Sequence, residues 1–364
     1  MNTLTLSKPV VHEPHYSLSN SELPFSKARH RETFGRVIGV HSRPISDISE
    51  AAMASSAVAS LFQECHLSRD NCVGLVVASS SLSVARGGIL SPEDEDTPDY
   101  ATLRERWDDV EIVINALEQY LSSTIDPRYV RGINWGCSNF PKALELCCQF
   151  AEQQYLHDDQ FILLVTTNRL SQHMDWSEIP TAIFGDYATA SAVSREGVLG
   201  ESRKIAHAKA DSAWINGVGF SCQPAESLVG PVFTEAGVHF EKQVRPVGLL
   251  SMTGEVINAN APTLLTEITN ETLDALELPA SKVGHWAPHQ AGDKIIDSFA
   301  EKARIAPEDI VRVYKYTGNL TASSIPHALW ERWRELNKGP VVCPSAGTGP
   351  VGTKSMTRGI VVLE

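Results

Sequence analysis

Short apolar runs that alternate with helical patterns predict an α/β protein with largely parallel strands. Three observations carry this reading. VGLVVAS (73–79) and FILLVTT (161–167) are β-rich apolar runs of the length of buried strands. Between them, FPKALELCCQFAEQQYL (140–156) sets Phe140, Ala143, Leu144, Cys147, Cys148 and Phe150 on helical spacing, apolar over much of its circumference, as for a helix inside a core. Further on, KVGHWAPH (282–289) leads into helical QAGDKIIDSFAEKARI, and DIVRVYKY (309–316) leads through a TGN turn into TASSIPHALWERWREL, two strand–turn–helix units in succession.

The remaining elements follow in order. Residues 1–33, with three prolines and no apolar core of the signal-peptide kind, read as an irregular N-terminal arm. SPEDEDTPDY (91–100) reads as a solvated acidic loop and WDDVEIVINALEQYLSS (107–123) as a helix. RYVRGINW reads as a strand end before the buried helix, and RGIVVLE as the last strand.

The chain of 364 residues is 42% hydrophobic and 21% charged, which suits a soluble protein of two domains or one large layered unit. A net charge of −13 argues against a nucleic-acid partner, because phosphate contacts need clustered lysine and arginine. The seven cysteines are odd in number and without zinc spacing, so a reducing, cytoplasmic setting is expected, with no metal site and no disulfide framework. No run of 18 apolar residues exists, so no membrane span is expected.

GTGPVG near the C-terminus spaces Gly347, Gly349 and Gly352 like a dinucleotide fingerprint. That fingerprint needs a strand before it, a helix after it and an acidic residue further on. Here a strand-like run follows instead, so the chemistry is sought elsewhere. Cys137 falls at the start of the buried helix, where Pro141 is tolerated. The helix dipole and free N–H groups there favour a thiolate, which makes Cys137 a candidate nucleophile. Cys147 and Cys148, mid-helix, read as small hydrophobes. His289 closes one strand and Asn319 the corresponding corner of the next unit, where open α/β sheets place working groups. His173, Asp175 and Asp186 qualify by type only. His285 reads as structural, and Asp186 as a turn that positions backbone. Cys, His and Asn in this order suit two chemistries. One is a papain-like hydrolase, with Asn orienting His. The other is thioester condensation, with His and Asn both donating to an enolate oxyanion.

Five segments, in order, resemble the β-ketoacyl synthase III class of the thiolase fold: VIGVHSR (37–43), GCSNFPKAL (136–144), FGDYATASAV (184–193), WAPHQAGDKII (286–296) and TGNLTASSIPHAL (317–329). The resemblance implies a duplicated βαβαβαββ fold in a five-layer αβαβα sandwich, usually a homodimer. Residues 34–205 would form the half carrying the nucleophile and 206–364 the half carrying His and Asn. It implies that Cys137 is acylated and that His289 and Asn319 hold the extender's enolate. The backbone of Cys137 with that of Thr348 or Gly349 would then form an oxyanion hole. FILLVTT would be the edge strand that pairs across the dimer axis. Substrates would be acyl-CoA or acyl-carrier-protein thioesters, with no other cofactor.

Departures from the family pattern point to a specialised-metabolite branch, such as the dialkylresorcinol- or cyclohexanedione-forming ketosynthase/cyclases. Asn139 stands where the family has Gly. Asn134 and Trp135 precede the Cys and, with Phe184, are acyl-pocket candidates. The 80–131 segment is enlarged, and Gly292 and Lys294 replace residues that face coenzyme A in the family. A same-fold acyltransferase to an alcohol or amine, a non-catalytic partner subunit, and a hydrolase are the alternatives.

Overall fold

The computed structural model describes residues 3–25, 28–84, 98–121, 125–157, 159–178, 182–215, 219–349 and 355–364. The chain begins with β1 (Leu4–Ser7), β2 (Val10–His12), β3 (Tyr16–Ser19), α1 (Ala28–Ile38), β4 (Ser42–Ile45), α2 (Glu50–Glu64) and β5 (Cys72–Ser79). It continues through α3 (Pro98–Arg106), α4 (Glu111–Leu121), β6 (Val130–Ile133), α5 (Asn139–Gln154), β7 (Phe161–Asn168), β8 (Tyr187–Arg195) and β9 (Ser202–Trp214). A long hairpin of β10 (Phe220–Thr234) and β11 (Gly237–Met252) leads to α6 (Gly254–Ala275), β12 (His285–Trp286), α7 (Asp293–Ala303), α8 (Ser324–Arg332), β13 (Val341–Thr348) and β14 (Ser355–Leu363).

Strand parity builds the layers, because successive side chains leave a strand on opposite faces. Along β7, Phe161, Leu163 and Val165 enter one core with Leu61 of α2 and Leu117 of α4. Ile162 and Leu164 enter a second core with Phe140 and Leu144 of α5 and Leu329 of α8. Along β14, Val361 and Leu363 join that same central core, whereas Ile360 and Val362 face a third, with Ile268 of α6 and Phe299 of α7. The order is therefore helices, sheet, α5 and α8, sheet, helices: five layers, with the buried helix in the middle as its all-round apolarity predicts. The two sheets join as one hydrogen-bonded path, β12–β13–β14–β9–β1–β8–β7–β5–β6, with β2 also on β8.

Several expectations are corrected. The N-terminal segment is not irregular: β1 inserts between β8 and β9 and pairs antiparallel with both. Four residues ahead of Pro9 are too short a run to show a strand's periodicity. The division at 205/206 falls inside β9, whose first residues pair with β1 and the rest with β14. Among the described strands, parallel ladders join β5 to β6, β5 to β7 and β12 to β13, and the remaining ladders are antiparallel. FILLVTT is not an edge: β7 lies between β5 and β8, buried along its whole length. The edge is β6, short and only partly buried. DIVRVYKY forms no strand, only a bridge between Ile310 and Trp286. The acidic run at 91–97 and Gly352 lie outside the described residues.

Candidate active site

Cys137 sits in a 3-10 turn, Gly136–Ser138, that feeds directly into α5. The turn's first N–H groups have no partner within it, and the α5 dipole adds its positive end. Gly136 has φ of +55°, and a Cβ there would lie 1.9 Å from the Thr348 carbonyl oxygen, so only glycine fits. Asn139, fully buried, ties the turn down. Its Oδ1 accepts the Trp135 N–H at 2.6 Å, and its Nδ2 donates to Ser80 Oγ at 2.9 Å. The Ser80 hydroxyl in turn donates to Gly136 O. On either side of Ser80, the Ser79 and Ser81 hydroxyls donate to the buried carboxylate of Glu50. Burial pushes Glu50 up to about 7.

His289 extends beyond β12. Its N–H donates to Pro344 O at 2.8 Å, which continues the pairing of β12 with β13. Gln290 then does the work of a missing ladder: its Nε2 donates to Pro288 O and Val311 O, and its Oε1 accepts the Val313 N–H. This is why DIVRVYKY needs no strand pairing to be held. Asn319 follows Gly318, whose φ is +64°. Its backbone is strapped to the FGD segment: Asn319 N–H donates to Ile183 O, and Gly185 N–H donates to Asn319 O. Its side-chain oxygen accepts the Thr321 N–H at 2.8 Å, which leaves the amide NH2 for a ligand.

Cys137, His289 and Asn319 line one cavity of about 300 Å³. Both ring nitrogens of His289 are buried there without a partner among the described residues. Burial alone holds it down to about 4, so the imidazole is neutral at pH 7. Burial likewise pushes the Cys137 thiol up, opposed by hydrogen bonds from the side chain and backbone of Thr348. The β13–β14 register explains the backbone bond. Gly349 N–H donates to Ser355 O, so Gly349 faces Ser355 as a bonded pair. Bonded and unbonded pairs alternate in an antiparallel ladder, so Thr348, opposite Met356, turns its N–H away from β14. Gly349 is thereby corrected as an oxyanion donor, since its N–H belongs to the ladder. The first glycine of the fingerprint, Gly347, makes room for the sulfur: a Cβ there would lie 2.4 Å from Cys137 Sγ.

Of the acyl-pocket candidates, Phe184 lines the cavity. Asn134 and Trp135 do not line it. Asn134 braces the nucleophile turn, accepting Gly136 N–H and donating to Leu82 O. Trp135 lies beneath the Lys142 ammonium, 5.3 Å from its ring centroid. Asp186 accepts from Ser46 N–H, Ser171 N–H and the Ser171 hydroxyl, the backbone-positioning role its turn suggested. Asp175 closes a turn onto Ser177. His173 is half-buried and stacked on Trp107, where desolvation holds it down to about 3, and His285 lies in a separate groove. Gly292 and Lys294 line the cavity, Val37 and Ile38 of α1 meet it, and Met252 and Ile257 face it from across. Val37 and Ile38 open the VIGVHSR segment, but nothing in the sequence marks Met252 and Ile257, because the β11–α6 junction reaches the site only through folding.

Among the described residues no helix is long and apolar enough to cross a membrane, and no cluster of His, Cys, Asp or Glu could hold a metal. A sequence model described as 3-oxoacyl-[acyl-carrier-protein (ACP)] synthase III matches residues 132–213, and its C-terminal counterpart matches residues 273–353. The beta-ketoacyl-[acyl-carrier-protein] synthase III of Aquifex aeolicus is 25% identical over 308 residues, 83% of this chain and 87% of that protein. Among solved structures, Xanthomonas campestris OleA superposes with a TM-score of 0.71 at 11% identity, over 100% of this chain and 99% of that one. AbyA1, described as a tetronic acid condensing enzyme, superposes with a TM-score of 0.69 at 14% identity, over 99% of both chains.

Proposed function

We propose that this chain, which belongs to the 3-oxoacyl-[acyl-carrier-protein] synthase III family, joins a Cys137-bound acyl group to a second acyl thioester through a new C–C bond. The observation that carries the reading is the unpartnered, neutral His289 beside the free amide of Asn319, in the cavity that ends at Cys137. Two neutral donors in a buried site suit a developing oxyanion. A papain-like hydrolase would instead pair its thiolate with an imidazolium, and among the described residues nothing near His289 favours that charge.

In the first half-reaction Cys137 Sγ attacks the donor thioester, whose thiol departs with the proton. In the second, the extender's thioester oxygen sits between His289 and Asn319. Loss of CO2 from a carboxylated extender, or of the acidic proton between the carbonyls of a β-ketoacyl one to solvent, leaves an enolate there. Its carbon attacks the Cys137 thioester, whose oxygen turns toward the N–H groups of Cys137 and Thr348, and collapse expels the cysteine thiolate.

We assign the finer features on the chain's own departures. The cavity mouth carries Val37, 52% exposed, with Ile38, Met252 and Ile257. Such a mouth suits an extender with an apolar chain, supporting specialised-metabolite synthesis over priming of ordinary fatty acids. A homodimer through the free edge of β6 is the proposed assembly. Seven unpaired cysteines suit the cytoplasm, and carrier-protein or CoA thioesters are the proposed substrates, without a further cofactor.

Intact-protein mass spectrometry against acyl-CoA and acyl-carrier-protein thioesters, with Cys137→Ala as control, tests the nucleophile. A mass gain that survives Cys137→Ala sinks it. Product analysis with a carboxylated extender then separates C–C bond formation from transfer to an alcohol or amine, and shows whether the product cyclises.

A further inference from the structure

We propose that the side-chain hydroxyl of Thr348 is a catalytic group, the hydrogen-bond donor that holds the Cys137 sulfur as a thiolate for acylation. It rests on Cys137 being the nucleophile and adds a role for a side chain, distinct from the oxyanion role of the Thr348 N–H.

The geometry begins with contact. Thr348 Oγ1 lies 3.7 Å from Cys137 Sγ, within hydrogen-bonding range for sulfur, and both groups line the cavity. Thr348 is 1% exposed, and no other acceptor among the described residues takes its hydroxyl. The rotamer is held in place. A Cβ on Gly219 would come within 2.6 Å of Thr348 Cγ2, so the methyl packs against a glycine while the hydroxyl faces the sulfur. The Thr357 hydroxyl donates to Thr348 O at 3.2 Å and fixes the backbone beneath.

The site also needs such a donor. A buried thiol resists ionisation, and the usual remedy is a nearby cation. His289 does not supply one, since burial keeps it neutral at pH 7. The helix end and the Thr348 N–H contribute, but a hydroxyl has a property they lack. By rotating one O–H bond it accepts from S–H in the resting thiol and donates to S⁻ once the proton has gone. During acylation the Cys137 S–C bond forms as the donor's S–C bond breaks. The thiol proton ends on the departing thiol, and the hydroxyl is regenerated unchanged.

The test needs no thioester. Cys137 alkylation by iodoacetamide is followed from pH 6 to 10 by peptide mass spectrometry, in wild type, Thr348→Val, Thr348→Ala and Thr348→Ser. The hydroxyl-free variants are expected to move the apparent pKa of Cys137 upward by about one unit, and Thr348→Ser to return it toward wild type. Thr348→Ala stands in if the valine variant does not fold. A profile that is the same with and without the hydroxyl overturns the proposal. So does a serine variant that titrates like alanine. If wild-type Cys137 is alkylated with the expected profile but never acylated by any thioester, the condensation reading fails and the hydroxyl's effect on the thiol stands.

Discussion

Asn319 Oδ1 accepts the Thr321 N–H at 2.8 Å, and this one bond determines which end of the amide faces the substrate. The side chain is committed as a donor. Asn319→Asp keeps the oxygen for Thr321 and removes the NH2. Condensation is expected to fall about 100- to 1,000-fold, the usual loss of an oxyanion donor, while Cys137 acylation persists. Single-turnover acyl-enzyme formation set beside product formation measures the split.

Gly347 touches the nucleophile from the opposite sheet. Gly347→Ala would place a methyl 2.4 Å from the Cys137 sulfur. Acylation is expected to drop by about 100-fold, with about 1–3 kcal/mol of stability lost to overpacking. Acylation kinetics and urea unfolding of the same preparation check both. Unaltered acylation would show that the turn can shift away.

Asn139 bridges the nucleophile turn to Ser80, and its replacement leaves the Trp135 N–H without an acceptor and the Ser80 oxygen without its donor, although the Ser80 hydroxyl keeps its bond to Gly136 O. Asn139→Ala is expected to cost about 2–3 kcal/mol and to slow acylation. Ser80→Ala breaks only one end of the bridge and is expected to cost about 1 kcal/mol. Urea unfolding of the two variants tests that ranking.

Two buried groups pull the pH dependence of stability in opposite directions. His289 is lowered from 6.5 to about 4, so its contribution is present above pH 6.5 and is lost as pH falls toward 4. Glu50 is raised from 4.5 to about 7, so its contribution is present below pH 4.5 and is lost as pH rises to 7. Glu50→Gln removes the second effect. Its stability relative to wild type is expected to rise by about 2 kcal/mol between pH 4.5 and 7 in unfolding titrations. A constant difference would mean that the Glu50 carboxyl titrates alike folded and unfolded.

The parts of the site legible in the sequence are those written in contiguous residues. Cys137 lies at a helix start that its own neighbours specify, through Gly136, Pro141 and the apolar spacing from Phe140 to Phe150. His289 and Asn319 each end a run that precedes a helix. Even where the run was no strand, as in DIVRVYKY, the corner survived, because Gln290 and the FGD segment hold it by side-chain and backbone bonds instead. The glycine of Gly347 was visible, but its purpose was not.

What only the tertiary structure decided is everything set by strand register and long-range pairing. Cys137 and Thr348 stand 211 residues apart and meet because β13 passes over the start of α5. A shift of one residue in the β13–β14 pairing would give the free N–H to Gly349 and turn the Thr348 hydroxyl to the other face. The four residues of β1 acquire their place only between β8 and β9, and β7 proves central because both its edges are bonded. Hydrophobic periodicity fixes which residues are buried, since that depends on near neighbours. It is silent about which distant strand lies alongside, and in this protein that pairing aims the donors at the sulfur.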